Sequence, residues 1–489
     1  MHIPLQKLAI GCALTSTAAA FYPYHRHHGE SSAATRRVPS EAAVSATSGE
    51  PRRSITLPLR RTSLVTRQNQ FDVSRSKEPK LKNSEAVHQD KNDNTYMVAV
   101  NIGTSKEEYL LLLDSASSNV WVMSEDCTSA ACGKHTTFGK SDSSSLKTET
   151  TQFSITYGTG TVSGTTASDT LHFGSLSATH TFGLANNASS EFEGFPMDGI
   201  LGLGRGSQSE GTIVSPQVIE IFADAKLISA KIFGLHLGRY KDGKNDGELN
   251  FGELNKDRYD GDLNWLDVVS NDRGFWEVAI SDAGVGDKVL GVKNKIGIID
   301  TGTSFVFMPE QDAIAVHKLI DSSRQSDENF IVPCSTKIPV TIKFGSQTYN
   351  VSAADWVGEQ LPDSDECFSR VVGRQTFGPD QWLIGDTFLK NVYTAFDMDK
   401  SKVGFGLKSA SSSSSESSTS TGGSNSTSNP NGNENGNGNA PPSTSGSATN
   451  GNNDKAEPTQ NSLAAPAVSP SASALAALSV AVGVLAFAF

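Results

Sequence analysis

Residues 296–304 read IGIIDTGTS, a wholly apolar run that ends on the carboxylate of Asp300 and is followed by small turn residues. The same order of residue types occurs earlier in the chain, where residues 110–117 read LLLLDSAS around Asp114. A short, continuous apolar run bounded by turn residues indicates a buried strand. The sequence therefore predicts two buried strands, each of which delivers an aspartate at its end.

A second apolar element follows each of these runs at nearly the same distance. Asp114 is followed 88 residues later by the glycine of residues 200–202 (ILG), and Asp300 is followed 85 residues later by the glycine of residues 383–385 (LIG). A long-period repeat of this kind indicates a duplicated structural unit. We expect two lobes related by a pseudo-two-fold axis, with the two aspartates meeting at that axis.

The segment 92–408 has the pattern of an all-β protein. Its apolar runs are short, continuous or alternating, and are bounded by Gly, Asn, Asp and Ser. Helical periodicity is scarce, and the best candidates for helices are residues 216–225 and 310–320. A sandwich or barrel architecture is expected. The predicted strands are Tyr96–Ile102, Tyr109–Leu113, Gln152–Tyr157, Lys295–Ile299 and Val340–Phe344.

Both ends of the sequence carry targeting patterns. Residues 1–20 run from a lysine through an apolar stretch to three alanines, which predicts a secretory signal peptide removed after Ala20. Residues 462–489 combine a small-residue spacer with an uncharged apolar tail. This predicts a glycosylphosphatidylinositol (GPI) anchor signal, removed when the anchor is attached near Asn461. The segment 409–461 is almost entirely Ser, Thr, Asn, Gly and Pro, and we expect an extended stalk.

Residues 21–91 are basic, contain proline and show little periodicity. Paired basic residues occur in this region, and such pairs in a secretory precursor are cleavage sites for processing proteases. We interpret the region as a propeptide. This leaves 92–408 as the mature domain, with lobes of about 92–265 and 266–408. The basic pairs are Arg36-Arg37, Arg52-Arg53 and Arg60-Arg61.

The charge of the chain is divided between a basic region and an acidic body. The whole chain has a formal charge of −12, whereas residues 21–91 hold 13 Lys and Arg against 7 Asp and Glu. The body is therefore strongly acidic and would repel the phosphates of a nucleic acid, so no nucleic-acid partner is expected. Three Asn-x-Ser/Thr sequons, at Asn187, Asn350 and Asn425, predict N-glycosylation of a secreted protein.

Five cysteines are present, and Cys12 falls within the predicted signal peptide. The other four are an even number, available for two disulfides. Metal binding is the rival interpretation, but neither Cys-x-x-Cys nor His-Glu-x-x-His occurs, and secretion favours disulfides. We expect no metal and no cofactor. Because no Gly-x-Ser-x-Gly occurs either, a serine hydrolase would lack its usual nucleophile turn.

Six short motifs follow one another in the body, namely residues 101–104 (NIGT), 114–122 (DSASSNVWV), 155–160 (ITYGTG), 197–202 (MDGILG), 300–304 (DTGTS) and 382–386 (WLIGD). In order and spacing they resemble the pepsin family of aspartic proteases, and the resemblance covers all of 92–408. The leader, stalk and anchor signal further resemble the GPI-anchored, yapsin-like proteases of fungal surfaces. This chain lacks the long first-lobe insertion of that group.

The resemblance implies a bilobal, pepsin-like, all-β fold with the active-site cleft between the lobes, and the activity of an aspartic-type endopeptidase. Asp114 and Asp300 would share one proton, because two carboxyls a few ångström apart cannot both ionise. They would activate a water molecule against a peptide bond at acid pH. The pair titrates as a unit, so the sequence assigns the proton to neither residue. Substrates are expected to be proteins and peptides, and the enzyme a monomer.

Supporting roles also follow from the resemblance. Ser117 and Thr303 would hydrogen-bond the outer carboxylate oxygens, and the hydroxyls of Ser115 and Thr301 would cross the lobe interface. A mobile flap would close over the substrate and exclude water, with Trp121 behind its tyrosine. The turn, flap and pocket residues would be Gly302, Tyr157, Gly158, Thr159, Leu112, Ile200, Met197 and Phe192 or Phe195. The disulfides would be Cys127–Cys132 and Cys334–Cys367.

Ala116 stands where the family has glycine. This departure leaves open an inactive relative that acts as a surface binding or adhesion protein. A structural cell-wall mannoprotein would explain the stalk and the anchor, but it leaves both aspartate motifs unexplained. The apolar pocket lining predicts a preference for large apolar substrate side chains. Glu191 and Glu193 beside it leave a preference for Lys or Arg open.

Overall fold

The computed structural model describes residues 69–206 and 213–409. The predicted signal peptide, stalk and anchor signal, with Asn425 and Asn461, lie outside the described residues, as does most of the predicted propeptide. The described chain consists of strands with a few short helices, so the all-β prediction is confirmed. None of the helices in this part of the chain is long and apolar enough to cross a membrane.

The strands of the first half are buried either throughout or on alternate residues. Every side chain of β4 (Tyr109–Asp114) is buried, as its continuous apolar sequence predicts, whereas β6 (Lys147–Tyr157) is exposed except at three alternating positions near its end. The other elements are β1 Val73–Ser74, β2 Ser84–Asp90, β3 Tyr96–Ile102, β5 Val120–Met123, β7 Gly160–Phe173, β8 Leu176–Ala188, β9 Gly199–Gly202, α1 Val218–Asp224, β10 Ile232–His236, β11 Glu248–Phe251 and β12 Tyr259–Asp267, with 3₁₀ turns at Ala131–Lys134, Ser190–Gly194, Tyr240–Asp242 and Lys256–Arg258.

The second half has shorter strands and three short helices. Helix α2 confirms the prediction over residues 310–320, as α1 does over 216–225, although both are shorter than predicted. The elements are β13 Glu277–Ile280, β14 Asp282–Val285, β15 Lys288–Val289, β16 Lys295–Ile299, β17 Val306–Phe307, α2 Glu310–His317, β18 Arg324–Ser326, β19 Asn329–Pro333, β20 Val340–Phe344, β21 Gln347–Val351, α3 Ala353–Trp356, β22 Val357–Gln360, β23 Glu366–Ser369, β24 Val371–Val372, β25 Gln381–Ile384, α4 Asp386–Leu389, β26 Val392–Asp397 and β27 Lys402–Lys408.

The repeat seen in the sequence is a repeated arrangement of three strands. In the first half, β9 runs parallel to β4 and antiparallel to β5, with Leu113 opposite Leu201. In the second half, β25 runs parallel to β16 and antiparallel to β17, with Ile299 opposite Ile384. The two apolar runs that end on aspartates, and the two later apolar-apolar-glycine elements, are therefore paired strands. The prediction of two related lobes is confirmed.

One large sheet joins the two halves of the chain. It contains β1 to β12 together with the C-terminal strands β26 and β27, and β26 lies between β10 and β27. The predicted lobe boundary between residues 265 and 266 is wrong, because it falls inside β12, which pairs with β27 over Trp265 and Leu266. The C-terminal strands satisfy their backbone hydrogen bonds in this shared sheet, so no single point in the sequence separates the lobes.

The folded body also begins earlier than predicted. Strand β2 pairs with β3 on one side and β11 on the other, and β1 pairs with β2. Farther back, the Asn69 side chain donates a hydrogen bond of 2.9 Å to Asp198. The predicted start of the domain at residue 92 is therefore too late, because removing β2 would leave β1 without a partner and would expose one edge of both β3 and β11. The site of propeptide cleavage stays a prediction.

The largest apolar cluster includes residues from both halves. Phe233 of the first half stacks on Phe396 with ring centroids 4.6 Å apart, and both rings contact Trp276 edge-on. The indole N–H of Trp276 donates to the carbonyl of Leu203 at 2.9 Å, so its one polar atom is satisfied. Full burial of each such side chain contributes about 1.5–3 kcal/mol. This packing holds the two aspartate-bearing strand sets in a fixed relation.

Candidate active site

The two aspartates lie side by side at the ends of equivalent strands. Asp114 ends β4 and Asp300 follows β16, and both side chains are fully buried. A Cβ placed on Gly302 would lie 2.8 Å from Asp114 Oδ1 and 3.2 Å from Asp300 Oδ1. One oxygen from each carboxyl thus approaches the same point, so the predicted meeting of the two acids is found in the structure.

Two hydroxyls cross between the lobes and fix the aspartate turns. Ser115 Oγ donates to the carbonyl of Ile299 at 2.8 Å and accepts from the N–H of Thr301 at 3.0 Å. Thr301 Oγ1 donates to the carbonyl of Leu113 at 3.0 Å and accepts from the N–H of Ser115 at 3.0 Å. These four reciprocal bonds are the arrangement expected from the sequence, and they restrict movement of one aspartate relative to the other.

The hydrogen bonds to the carboxyls are less symmetric than expected. Asp300 accepts from the N–H of Gly302 at 2.8 Å and from the hydroxyl of Thr303 at 2.6 Å. Asp114 accepts from the N–H of Ala116 at 2.9 Å, but its other oxygen, Oδ2, is buried without a hydrogen-bond partner among the described residues.

The expected hydrogen bond from Ser117 to Asp114 is therefore not made. The Ser117 hydroxyl lies toward Tyr157 instead. Serine lacks the branched methyl group that restricts the χ1 rotamer of Thr303, so its hydroxyl is free to turn away from the carboxylate. The second aspartate consequently has a hydroxyl donor that the first lacks.

Burial raises the pKa of both carboxyls. The negative charge of Asp300 raises the pKa of Asp114 further, whereas the hydrogen bonds from Thr303 and Gly302 offset part of the rise for Asp300. A carboxylate with more donors is the more stable anion. In the pair with a single shared proton, Asp300 is therefore the anion and Asp114 holds the proton.

A β-hairpin covers the first-lobe side of the aspartates. Tyr157 ends β6 and faces Gly160 across a turn of Gly158 and Thr159, as predicted for a flap. The Tyr157 hydroxyl accepts a hydrogen bond of 2.7 Å from the indole N–H of Trp121, which confirms the expected support from behind. The Thr159 hydroxyl is buried without a partner among the described residues.

The predicted pocket residues share one apolar cluster beneath this hairpin. Phe192 packs edge-on against both Trp121 and Tyr157, at 5.7 and 6.3 Å between ring centroids. Glu193 forms a 3.0 Å salt bridge with Lys134, whereas Glu191 is exposed. The predicted cluster members are Leu112, Tyr157, Phe192, Met197 and Ile200, with Phe195 partly buried against them. The lining is apolar, and one of the two nearby glutamates is already paired.

Comparison with known proteins agrees with this geometry. A family model described as "Eukaryotic aspartyl protease" matches residues 95–408. The chain belongs to this family. Its relatives include named aspartic-type endopeptidases, so the protein is an enzyme of this type.

Relatives of the protease are found in fungi and in animals. It is 38% identical over 357 residues to the probable aspartic-type endopeptidase CTSD of Arthroderma benhamiae, covering 73% of this chain and 69% of that protein. It is 37% identical over 426 residues to the aspartic-type endopeptidase ctsD of Aspergillus fumigatus, covering 84% and 88%. Pepsin A of Sus scrofa is 30% identical over 320 residues, covering 64% of this chain and 81% of the relative.

Ala116 of the protease is accommodated without backbone strain. It is not among the described residues with positive φ, and its N–H bonds Asp114 as that of Gly302 bonds Asp300. Its methyl group packs in a cluster with Phe275 and Leu383. A glycine is therefore not required at this position. The opposite turn differs, because a Cβ on Gly302 would collide with the Asp114 carboxyl.

Both disulfides expected from the family are formed. Cys127 and Cys132 join with their Cα atoms 6.1 Å apart, and Cys334 and Cys367 join at 5.0 Å. The two sequons in the described body lie on strands, Asn187 in β8 and Asn350 in β21, and both asparagines are exposed. Glycosylation of either stays a prediction.

A buried ionic cluster behind the two aspartates was not predicted from the sequence. Arg239 donates two hydrogen bonds to Asp355, at 2.9 and 2.7 Å, and the buried Lys390 lies 3.8 Å from the same carboxylate. Asp386, which belongs to the WLIGD motif, is buried beside Lys390, and burial raises its pKa well above the usual value. The acid at the end of that motif and the lysine four residues later were the available signals.

Proposed function

We propose that the protease is a secreted, GPI-anchored cell-surface enzyme that hydrolyses peptide bonds of proteins at acid pH, with Asp114 and Asp300 as its catalytic pair. The observation that carries this proposal is the convergence of one oxygen of each carboxyl on a single point, inside a site locked by Ser115 and Thr301. Substrate would lie between that point and the flap, where Thr159 offers a free hydroxyl.

Hydrolysis follows from the unequal environments of the two carboxyls. Asp300, with two donors, is the anion that takes a proton from a water molecule placed between the acids, and the water oxygen attacks the substrate carbonyl carbon. Asp114 carries the shared proton and donates it to the carbonyl oxygen, giving a neutral tetrahedral diol. Proton transfer from Asp300 to the amide nitrogen then permits cleavage of the C–N bond, and a proton of the diol returns to the pair.

A catalytically silent binding protein is not favoured. That alternative depended on Ala116 disturbing the first aspartate, and its φ is not in the positive region while its N–H still binds Asp114 at 2.9 Å. A protein selected only for adhesion has no need of two buried, paired carboxyls, since burying such groups costs several kcal/mol.

Replacing Asp300 by Asn tests the catalytic pair. The amide is nearly isosteric but cannot act as the base, so we expect cleavage of an unfolded protein at acid pH to fall below a few per cent, with secretion and melting temperature retained. Asp262→Asn, an exposed position on β12, is the matched control and should keep full activity. Substantial proteolysis by a folded Asp300→Asn variant would refute the assignment.

Surface attachment is tested on the full chain in cells. The proposal is supported by the uncharged C-terminal tail with its small-residue spacer, residues 462–489, and by the polar stalk before it. A phospholipase specific for GPI anchors should release the active protease from cells, and a chain lacking 462–489 should be secreted into the medium. Membrane retention of the shortened chain would contradict the anchor.

The primary pocket is expected to prefer large apolar side chains. Leu112, Phe192 and Ile200 beneath the flap form a fully apolar lining. The pairing of Glu193 with Lys134 reduces the attraction that a basic substrate side chain would meet. A peptide-library profile dominated by cleavage at Lys or Arg would overturn this preference.

A further inference from the structure

An aromatic patch lies on the second-lobe side of the site, next to the two aspartates. Phe275 is buried in the cluster that contains Ala116, the residue whose N–H binds Asp114, and Phe377 is partly buried against this cluster. The two rings meet edge-to-face with centroids 5.2 Å apart. The patch therefore begins one side chain away from the reacting carboxyls.

An arginine lies over this patch. The guanidinium carbon of Arg273 is 5.2 Å from the ring centroid of Phe377 and 5.9 Å from that of Phe275. Its side chain is exposed. A guanidinium held over rings keeps its N–H groups in its own plane, where a carboxylate can accept two of them at once.

The loop that presents Arg273 is held in one conformation. The side chain of Asn271 accepts from the N–H of Phe275 at 3.0 Å and donates to its carbonyl at 3.0 Å. Gly274 has φ +73, and a Cβ there would lie 2.0 Å from the backbone of Gly206 in the first lobe. A fixed loop of this kind positions a side chain for recognition at little entropic cost.

Arg273 has no carboxylate in ion-pair contact within the part of the chain that the structure describes. Its charge acts on Glu277, but that carboxyl is buried and accepts a 3.0 Å hydrogen bond from Gln381. Arg374, by contrast, is held in a salt bridge with Glu328. The exposed guanidinium of Arg273, without a salt bridge to any described residue, is available to a negative ligand at the edge of the site.

We propose that Arg273 is a specificity-determining residue that binds an acidic side chain of the substrate, next to the scissile bond on the second-lobe side. The inference rests on the proposed endopeptidase function and names a substrate feature for the same site. The aliphatic part of the acidic side chain would pack on Phe275 and Phe377, and its carboxylate would accept from the guanidinium. Substrates with Glu at this one position would therefore be cleaved faster than those with Gln.

The test uses the folded protease and a set of peptides that share one apolar cleavage site. Each position from four before to four after the scissile bond is changed in turn to Glu or to Gln, and kcat/KM is measured at pH 5.5, where a Glu side chain is ionised. We expect one position at which Glu exceeds Gln by about fivefold, the upper range for a single exposed ion pair. Arg273→Gln should bring that ratio to about one.

Two further variants distinguish this contact from a general charge effect. Arg370→Gln removes another arginine that lies over a ring, 5.8 Å from Phe305, and should leave the ratio at the selected position unchanged. Arg273→Lys should keep part of the preference for Glu over Gln, because the positive charge remains but the planar guanidinium is lost. The inference is overturned if no position favours Glu, or if Arg273→Gln leaves the ratio intact. Failure to cleave any peptide, including the Gln series, would instead refute the proposed function.

Discussion

The two turns that follow the aspartates should respond in opposite ways to the gain and loss of one methyl group. Ala116 and Gly302 are equivalent in the repeat, and each N–H binds the aspartate two residues earlier, at 2.9 and 2.8 Å. A Cβ on Gly302 would lie 2.8 Å from both Cγ and Oδ1 of Asp114, closer than real Cβ contacts come. Asp114 is fully buried and cannot move aside without leaving its hydrogen bond.

We therefore expect Gly302→Ala to separate the two carboxyls and to lower kcat at least about 100-fold, the cost of a displacement near 1 Å in a catalytic group. Overpacking should lower the free energy of unfolding by only about 1–3 kcal/mol, so the protein should still fold. Ala116→Gly removes a methyl that packs on Phe275 and adds backbone freedom, which costs about 0.5–1 kcal/mol of stability. Its kcat should stay within about threefold of the parent or rise modestly.

The assay compares kcat and KM of both variants and the parent on one fluorogenic peptide at acid pH, alongside thermal melting of each protein. A Gly302→Ala variant that keeps more than about a tenth of the parent kcat would refute the collision argument. If the parent shows no turnover and Ala116→Gly shows plenty, Ala116 marks a silenced protease, and the adhesion-protein alternative replaces the proposed function.

Further predictions concern the two aspartates and the ionic cluster of Arg239, Asp355 and Lys390 behind them. Thr303→Val removes a hydroxyl that stabilises ionised Asp300, so the pKa of Asp300 should rise and the acidic limb of the kcat/KM profile should move up by about one pH unit. Thr303→Ser keeps a hydroxyl but loses the methyl group that restricts its rotamer, so it should move this limb by less. Burial alone would raise the pKa of Asp355, but hydrogen bonds from Arg239 and the charge of Lys390 lower it below 3.8. A lowered folded pKa contributes stability above the unfolded pKa that is lost as the pH falls through the folded value. At pH values above 5, the Asp355→Asn variant should therefore melt about 5–10 °C below the parent, a loss of about 3 kcal/mol in the free energy of unfolding. The difference in melting temperature should narrow below pH 3.8. A difference that stays constant down to pH 2 would contradict this linkage.

Several parts of the fold could be predicted because they depend on local residue patterns. A short, continuous apolar run bounded by turn residues indicates a strand buried on both faces, and both β4 and β16 are such strands. The similar intervals to β9 and β25, 88 and 85 residues, predicted two related halves, and the structure shows that these elements pair with β4 and β16. The short helices α1 and α2 were likewise visible as isolated helical segments.

Other parts depend on contacts between residues far apart in the sequence. Strand β2 is mostly polar, and only the presence of β3 and β11 on either side makes it a strand, so its place in the folded body was not visible within residues 21–91. The lobe boundary was misplaced for the same reason, because β12 finds its partner, β27, more than a hundred residues away.

For the site, the sequence by itself determined which acids matter, since Asp114 and Asp300 each end a run that can only be a buried strand. It could not determine how they differ. Ser117 turns toward Tyr157, whereas Thr303 donates a hydrogen bond to Asp300. The first turn has room for the methyl group of Ala116, whereas a methyl group on Gly302 would collide with Asp114. Both differences result from packing between the lobes. Periodicity specifies a strand, but the number of donors around a buried carboxylate and the space beside it are set only when distant segments meet.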